Sequence, residues 1–134
     1  MKNHIILSLL FLLIGCSKES VEYSKLQNRG GLYYTINSED PYSGLSFKLY
    51  KTGQKMWERT YKDGELDGLW TRWYRNGQKS SESIYKEGVA VGLVTGWHTN
   101  GQKSSERIYK DGEQDGLATS WYENGQKESE ALVK

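Results

Sequence analysis

Apolar and polar side chains alternate along residues 69–74, LWTRWY. Leu69, Thr71 and Trp73 fall to one side, and Trp70, Arg72 and Tyr74 to the other, the two-residue period of a strand. The run is rich in aromatic and β-favouring residues. Asn76-Gly77 follows, a pair that tolerates φ > 0 and predicts a type I′ hairpin turn. Residues 79–86 then return as a second strand. Glycine-rich flanks leave this stretch too short for a stable helix. Lys62-Asp63-Gly64 and Lys110-Asp111-Gly112 supply the turns that lead from one hairpin to the next.

The pattern recurs every 24 residues. Gly53, Gly77, Gly101 and Gly125 each begin GQK, and Gly44, Gly68, Gly92 and Gly116 each precede a leucine or, in every copy, open the pair Gly-Leu. Four copies therefore align without a gap over 44–134. A fixed period of this length predicts stacked supersecondary units, each too small to bury its own apolar face. The expected fold class is all-β: an elongated antiparallel sheet of repeated β-hairpins, about 40 Å long at two strands per repeat. Stacking the columns of Leu69, Thr71 and Trp73 with their equivalents (Leu45, Phe47, Leu49; Leu93, Thr95, Trp97; Leu117, Thr119, Trp121) gives an apolar ladder, expected to be the buried face. Residues 31–43 read as a lead-in strand and turn that cap the first repeat.

The first 30 residues follow a different plan. Lys2 precedes an apolar run over 5–14, interrupted only by Ser8. A run this short behind a basic start reads as a secretory signal over 1–15, not a span of about 20 apolar residues. Leu13-Ile14-Gly15-Cys16 resembles the lipobox of bacterial lipoproteins. That resemblance implies cleavage before Cys16 and lipidation of its thiol, hence a membrane anchor at the cell envelope. Ser17 in place of an aspartate favours the outer membrane if the source is Gram-negative. Cys16 is the only cysteine, so no internal disulfide is available to the exported chain. Polar residues 16–30 show no period and read as a flexible tether, with a reach of about 20 Å.

The stretch 61–79, YKDGELDGLWTRWYRNGQK, resembles the bacterial variant of the MORN repeat. The resemblance covers 31–134 and implies an elongated sheet of hairpins in a protein-binding or scaffolding module. It also implies an alternative, since such proteins are often described as antitoxin-like: neutralisation of a partner toxin. The chain departs from the pattern at Glu87-Gly88-Val89-Ala90-Val91, where neighbouring units carry acidic residues, and at His98, where they carry tyrosine.

Charge and composition narrow the chemistry. Lys2 is the one basic residue of the signal, which leaves 17 basic against 17 acidic side chains, net zero. Interleaved charges of equal number do not make a nucleic-acid surface. No metal site or cofactor is expected, because His98 and Cys16 are the only mature residues of their types. Asp63, Glu65 and Asp67, with Asp111, Glu113 and Asp115, are read as turn chemistry. Candidate acids fall in repeat columns, and a recurring residue argues for structure, so no catalytic residue and no enzyme activity are expected. The lysine column (Lys55, Lys79, Lys103, Lys127) and the glutamate column (Glu58, Glu82, Glu106, Glu130) are three residues apart. On a regular strand that spacing points them to opposite faces, so pairing is expected only between strands.

Two places remain for a partner. Tyr50, Trp70, Tyr74, His98 and Tyr122 are the candidate interaction surface, since aromatic side chains serve interfaces well. The last strand, with Glu128, Glu130 and Leu132, is a candidate edge for self-association or for strand addition by a protein partner.

Overall fold

A computed structural model describes residues 19–134; the expected signal over 1–15 and Cys16 lie outside the described residues. The chain begins with β1 (Val21–Glu22), a 3-10 turn (Tyr23–Lys25), β2 (Leu26–Arg29) and β3 (Leu32–Thr35). The repeats follow as β4 (Gly44–Leu49), β5 (Lys55–Lys62), β6 (Glu65–Trp73), β7 (Lys79–Lys86), β8 (Val89–Trp97), β9 (Lys103–Lys110), β10 (Glu113–Trp121) and β11 (Lys127–Val133). A nine-stranded sheet runs in the order β1-β4-β5-β6-β7-β8-β9-β10-β11, and β2 and β3 pair separately. From β4 onward every strand pairs antiparallel with its neighbour in sequence. The all-β array of consecutive hairpins is thus present, with strands where the alternation places them.

The turns exchange roles with the expectation. At Asn76-Gly77 only the glycine has φ > 0, at 84°. Gly77 N donates to Tyr74 O at 3.0 Å, and Tyr74 N donates to Gln78 O at 2.8 Å. This is a type I turn closed by a left-handed glycine bulge, the three-residue hairpin loop. The Asn76 side chain fixes it by accepting from Gln78 N at 3.0 Å, which holds the asparagine out of the left-handed region. The type I′ turns are the other set: Asp63-Gly64, Glu87-Gly88 and Asp111-Gly112 have φ > 0 at both central residues. Glu87 keeps this geometry although it replaces aspartate, so the unusual third unit folds like its neighbours.

The tether expected over 16–30 gives way to ordered structure by Val21. β1 adds parallel to β4 through Val21↔Ser46 and Glu22↔Phe47. The β2–β3 hairpin folds onto one face of the sheet as a cap. Tyr33 N donates to Gly64 O at 2.9 Å, and Gly64 N donates to Tyr42 O at 2.8 Å, so the cap is hydrogen-bonded to the first type I′ turn. The lead-in strand β3 therefore does cap the first repeat, but from a second layer and not as a strand of the long sheet. Polarity misled the reading of residues 21–30: Tyr23 and Leu26 are too few to make a periodic signal, yet Tyr23 packs edge-on against Trp57 at 5.0 Å.

The core sits under this cap. Tyr42, Trp57 and Tyr61 are the buried hydrophobic residues among those described. Tyr33 and Tyr42 flank Tyr61 with ring centroids at 5.1 and 5.9 Å. The apolar ladder expected as the buried face is on the opposite side. There Thr71, Thr95 and Thr119 are buried, while Leu49, Leu69, Leu93 and Leu117 are exposed. The physical reason is layering: among the described residues no second element covers that face, so long side chains stand in water and shade the short threonines between them.

Burial raises the phenols of Tyr61 and Tyr42 above their ordinary value. Tyr33, hydrogen-bonded to Tyr23 and partly buried, is pushed up to about 12. Folding favours the neutral rings, so their contribution is complete below about pH 10, the unfolded value, and is lost as pH rises through the folded values. Alkaline titration is expected to undock the cap before the repeats melt. The near-UV circular dichroism of the ring cluster should fade between about pH 10 and 12 while the far-UV sheet signal persists. A single coincident transition would contradict this.

Candidate functional site: the two faces of the repeat sheet

The register lays side chains out in rows that run along the whole sheet. On the face away from the cap, one row reads Phe47, Glu58, Thr71, Glu82, Thr95, Glu106, Thr119, Glu130. A second joins Leu69 to Ile84, Leu93 to Ile108 and Leu117 to Leu132 as direct cross-strand pairs. A third alternates lysine with tryptophan: Trp73 opposes Lys79, Trp97 opposes Lys103, and Trp121 opposes Lys127.

The lysine and glutamate columns meet in a way that regular alternation does not allow. Lys79 pairs with Glu82 on the same strand at 2.7 Å, and Lys55–Glu58, Lys103–Glu106 and Lys127–Glu130 do likewise. The cause is a bulge. Register passes from Arg72↔Ser81 to Trp73↔Lys79, so Ser80 is an extra residue and the strand is re-phased by one. Each lysine thereby joins the face of its glutamate. Three of these ammonium groups also lie over the indole of the next repeat: Lys55 over Trp73 at 5.7 Å, Lys79 over Trp97 and Lys103 over Trp121 at 5.4 Å. The Lys127 ammonium, hydrogen-bonded to Glu130, holds that carboxyl below the usual range. In the same way Lys86 depresses Asp67, and Asp67 raises Lys86. The Lys–Glu pairs each lie within a single strand, whereas Lys86–Asp67 joins the neighbouring strands β7 and β6; solvent screens such surface pairs.

The candidate rings separate into two groups. Tyr50, Tyr74, His98 and Tyr122 form one column at the mouths of the bulged turns. Tyr50 OH donates to Trp73 O and Tyr74 OH to Trp97 O, both at 2.8 Å. His98 Nε2 stands 2.7 Å from Trp121 O, so histidine reproduces the tyrosine link. Asn76 and Asn100 donate to Thr99 O and Glu123 O, 23 residues on, at 2.9 and 2.8 Å. The polar ends of these rings thus tie repeat to repeat; Tyr122, in the last repeat, is exposed. Trp70 stands apart, on the cap-side face, with the Arg59 and Arg72 guanidiniums 4.2 and 4.3 Å from its ring.

At the last strand, Glu130 belongs to the lysine pair just described. Glu128 is the bulge residue of β11 and accepts from Ser120 Oγ at 2.9 Å. Leu132 is 67 % exposed and ends the aliphatic row. That row is the feature that sequence reasoning missed as a surface. The alternation identified Leu69, Leu93 and Leu117 but assigned them to the interior, and it read Leu132 only as part of an edge strand.

Three consecutive stretches, residues 66–87, 90–111 and 114–134, match the family described as MORN repeat variant. The match starts at the second hairpin. The first, β4–β5, has the same turn geometry, with Gly53 N donating to Tyr50 O at 2.9 Å and Tyr50 N to Gln54 O at 2.8 Å. It differs at Ser46, which pairs with β1, and at Trp57, which packs against Tyr23; the later units carry Trp, Val or Ala at the first position and serine at the second. No curated protein and no solved structure matches the chain.

Proposed function

We propose that this array of MORN-variant repeats is a protein-binding or scaffolding module held at the cell envelope by a lipid on Cys16. Repeats of this kind generally bind proteins or membranes. The observation that supports binding is the aliphatic row of the face away from the cap. Leu69, Ile84, Leu93, Ile108, Leu117 and Leu132 are 40 to 67 % exposed and occupy six adjacent strands. At about 4.8 Å per strand the row is about 24 Å long. A contiguous apolar strip of this kind marks an interaction site more often than scattered exposed leucines do. Charged residues border it: the Lys–Glu pairs on one side and Lys86 with Asp67 on the other. An apolar centre inside a polar rim is the anatomy of a protein interface. The anchor reading rests on Leu13-Ile14-Gly15-Cys16 behind the apolar run of 5–14. Two or more acyl chains give lasting attachment where one does not.

Crosslinking and pull-down from membranes test both parts. Leu93→Asp combined with Ile108→Asp is expected to lose the captured protein while the fold and lipid label persist. Cys16→Ser is expected to lose the lipid label and the membrane fraction. Retention of the partner by the double variant removes the aliphatic row from the reading, and a lipid-labelled Cys16→Ser protein removes the anchor. Capture of a secreted toxin would convert the reading into the antitoxin or immunity-type alternative.

A further inference from the structure

The cap-side face changes along the sheet at one repeat position. Trp70, Val94 and Ala118 are equivalent residues, 24 apart. Trp70 stands on β6, between the strands that carry Tyr61 and Tyr85, and its ring lies 5.4 Å from Tyr85. Arg59, its direct cross-strand neighbour, places a guanidinium 4.2 Å from the indole. One repeat later Val94 stands on β8, between the strands of Tyr85 and Tyr109. The smaller side chain leaves a notch of about 390 Å³ lined by Ser83, Tyr85, Ala90, Val94 and Tyr109. Its volume falls within the range of about 300–1,000 Å³ of ligand sites. Arg107 is the direct cross-strand neighbour of Val94 and is exposed, so a guanidinium is again one strand away.

We infer that this notch takes an aromatic side chain from an extended segment of a protein partner, seated where an indole equivalent to Trp70 would stand. The chain itself shows what this face accepts. One repeat upstream it is covered by aromatic side chains of the capping residues, with Tyr23 of the 3-10 turn against Trp57, and Tyr33 of the extended strand β3 together with Tyr42 against Tyr61. The uncovered notch continues that intramolecular interface along the same face. A guest ring would meet Tyr85 on one side and Tyr109 on the other, with Arg107 available for a cation–π contact. The site lies on the opposite face from the aliphatic row and does not depend on it or on the anchor.

Titrating the ¹⁵N-labelled protein with millimolar N-acetyl-tryptophan amide tests this, with N-acetyl-leucine amide as control. Saturable amide shifts are expected at Ser83, Tyr85, Val94, Arg107 and Tyr109, and binding of the leucine probe should be weaker by about fivefold. Val94→Trp fills the notch from within and should abolish the shifts, whereas Val94→Ala, which copies Ala118, should keep them. Absence of saturable shifts, shifts confined to other surfaces, or a folded Val94→Trp protein that responds unchanged would each overturn the inference. If Val94→Trp does not fold, Tyr109→Ser decides: weaker binding supports the notch, and unchanged binding overturns it. Tighter binding of free tryptophan than of the blocked amide would make the occupant a free amino acid and overturn its assignment to a protein.

Discussion

Replacing Tyr61 with alanine is expected to destabilise the protein by about 3–5 kcal/mol, the usual cost of removing a buried aromatic side chain. Tyr61 is 2 % exposed and is the ring on which the cap closes, with Tyr33 and Tyr42 on it. Few other large apolar groups among the described residues are as well shielded, so little else can compensate. The repeat supplies its own control. Tyr85 and Tyr109 hold the same position one and two units later and are only half-buried. Tyr109→Ala should therefore cost far less, about 1 kcal/mol. Thermal and denaturant unfolding of the two variants measures the difference. The Tyr61 variant should also lose its near-UV ring signal. Equal destabilisation at both positions would mean that the repeats, and not the cap, supply the cooperative core.

Gly64→Ala is expected to destabilise more than Gly88→Ala, although both glycines are the second residue of a type I′ turn. Their φ values are 84° and 81°, so the cost of a side chain in the left-handed region, about 1–2 kcal/mol, is common to both. The surroundings differ. A Cβ on Gly64 would stand 2.9 Å from Leu32 Cβ and 3.2 Å from Pro41 Cβ, whereas one on Gly88 meets nothing within 4 Å. Crowding in a packed site adds about 1–3 kcal/mol. The clash falls on the cap, which is bound to Gly64 through both its N–H and its carbonyl. The thermal midpoints of the two variants, compared directly, isolate the contribution of cap docking. Equal midpoints would show that the cap moves aside without cost.

The repeat period, the strands and the hairpin connections were legible in the sequence because each depends on residues close together in the chain. Alternation at 69–74 marks a strand whatever packs on it, and glycine at a fixed interval marks a turn whatever the turn is called. The Cys16 reading is also purely local, and the described residues do not reach it. Turn type was less accessible. Asn76-Gly77 and Asp63-Gly64 both look like type I′ pairs, and they separate only through loop length. At Asn76 the chain closes three residues and the asparagine side chain caps its own turn.

Other features were settled by tertiary structure alone. Alternation says that a strand has two unlike faces, but a face becomes interior only when a second layer covers it. Here the cap covers the tyrosine and tryptophan side of the first repeat, so the leucine rows remain in water and the threonines beside them are buried. The pairing of Lys79 with Glu82 depends on one extra residue in the strand, and a bulge can be counted only against the strand opposite. The sequence by itself determined the units and their order. The docking of the β2–β3 cap determined where the core lies, because burial is a property of two surfaces brought together and not of either alone.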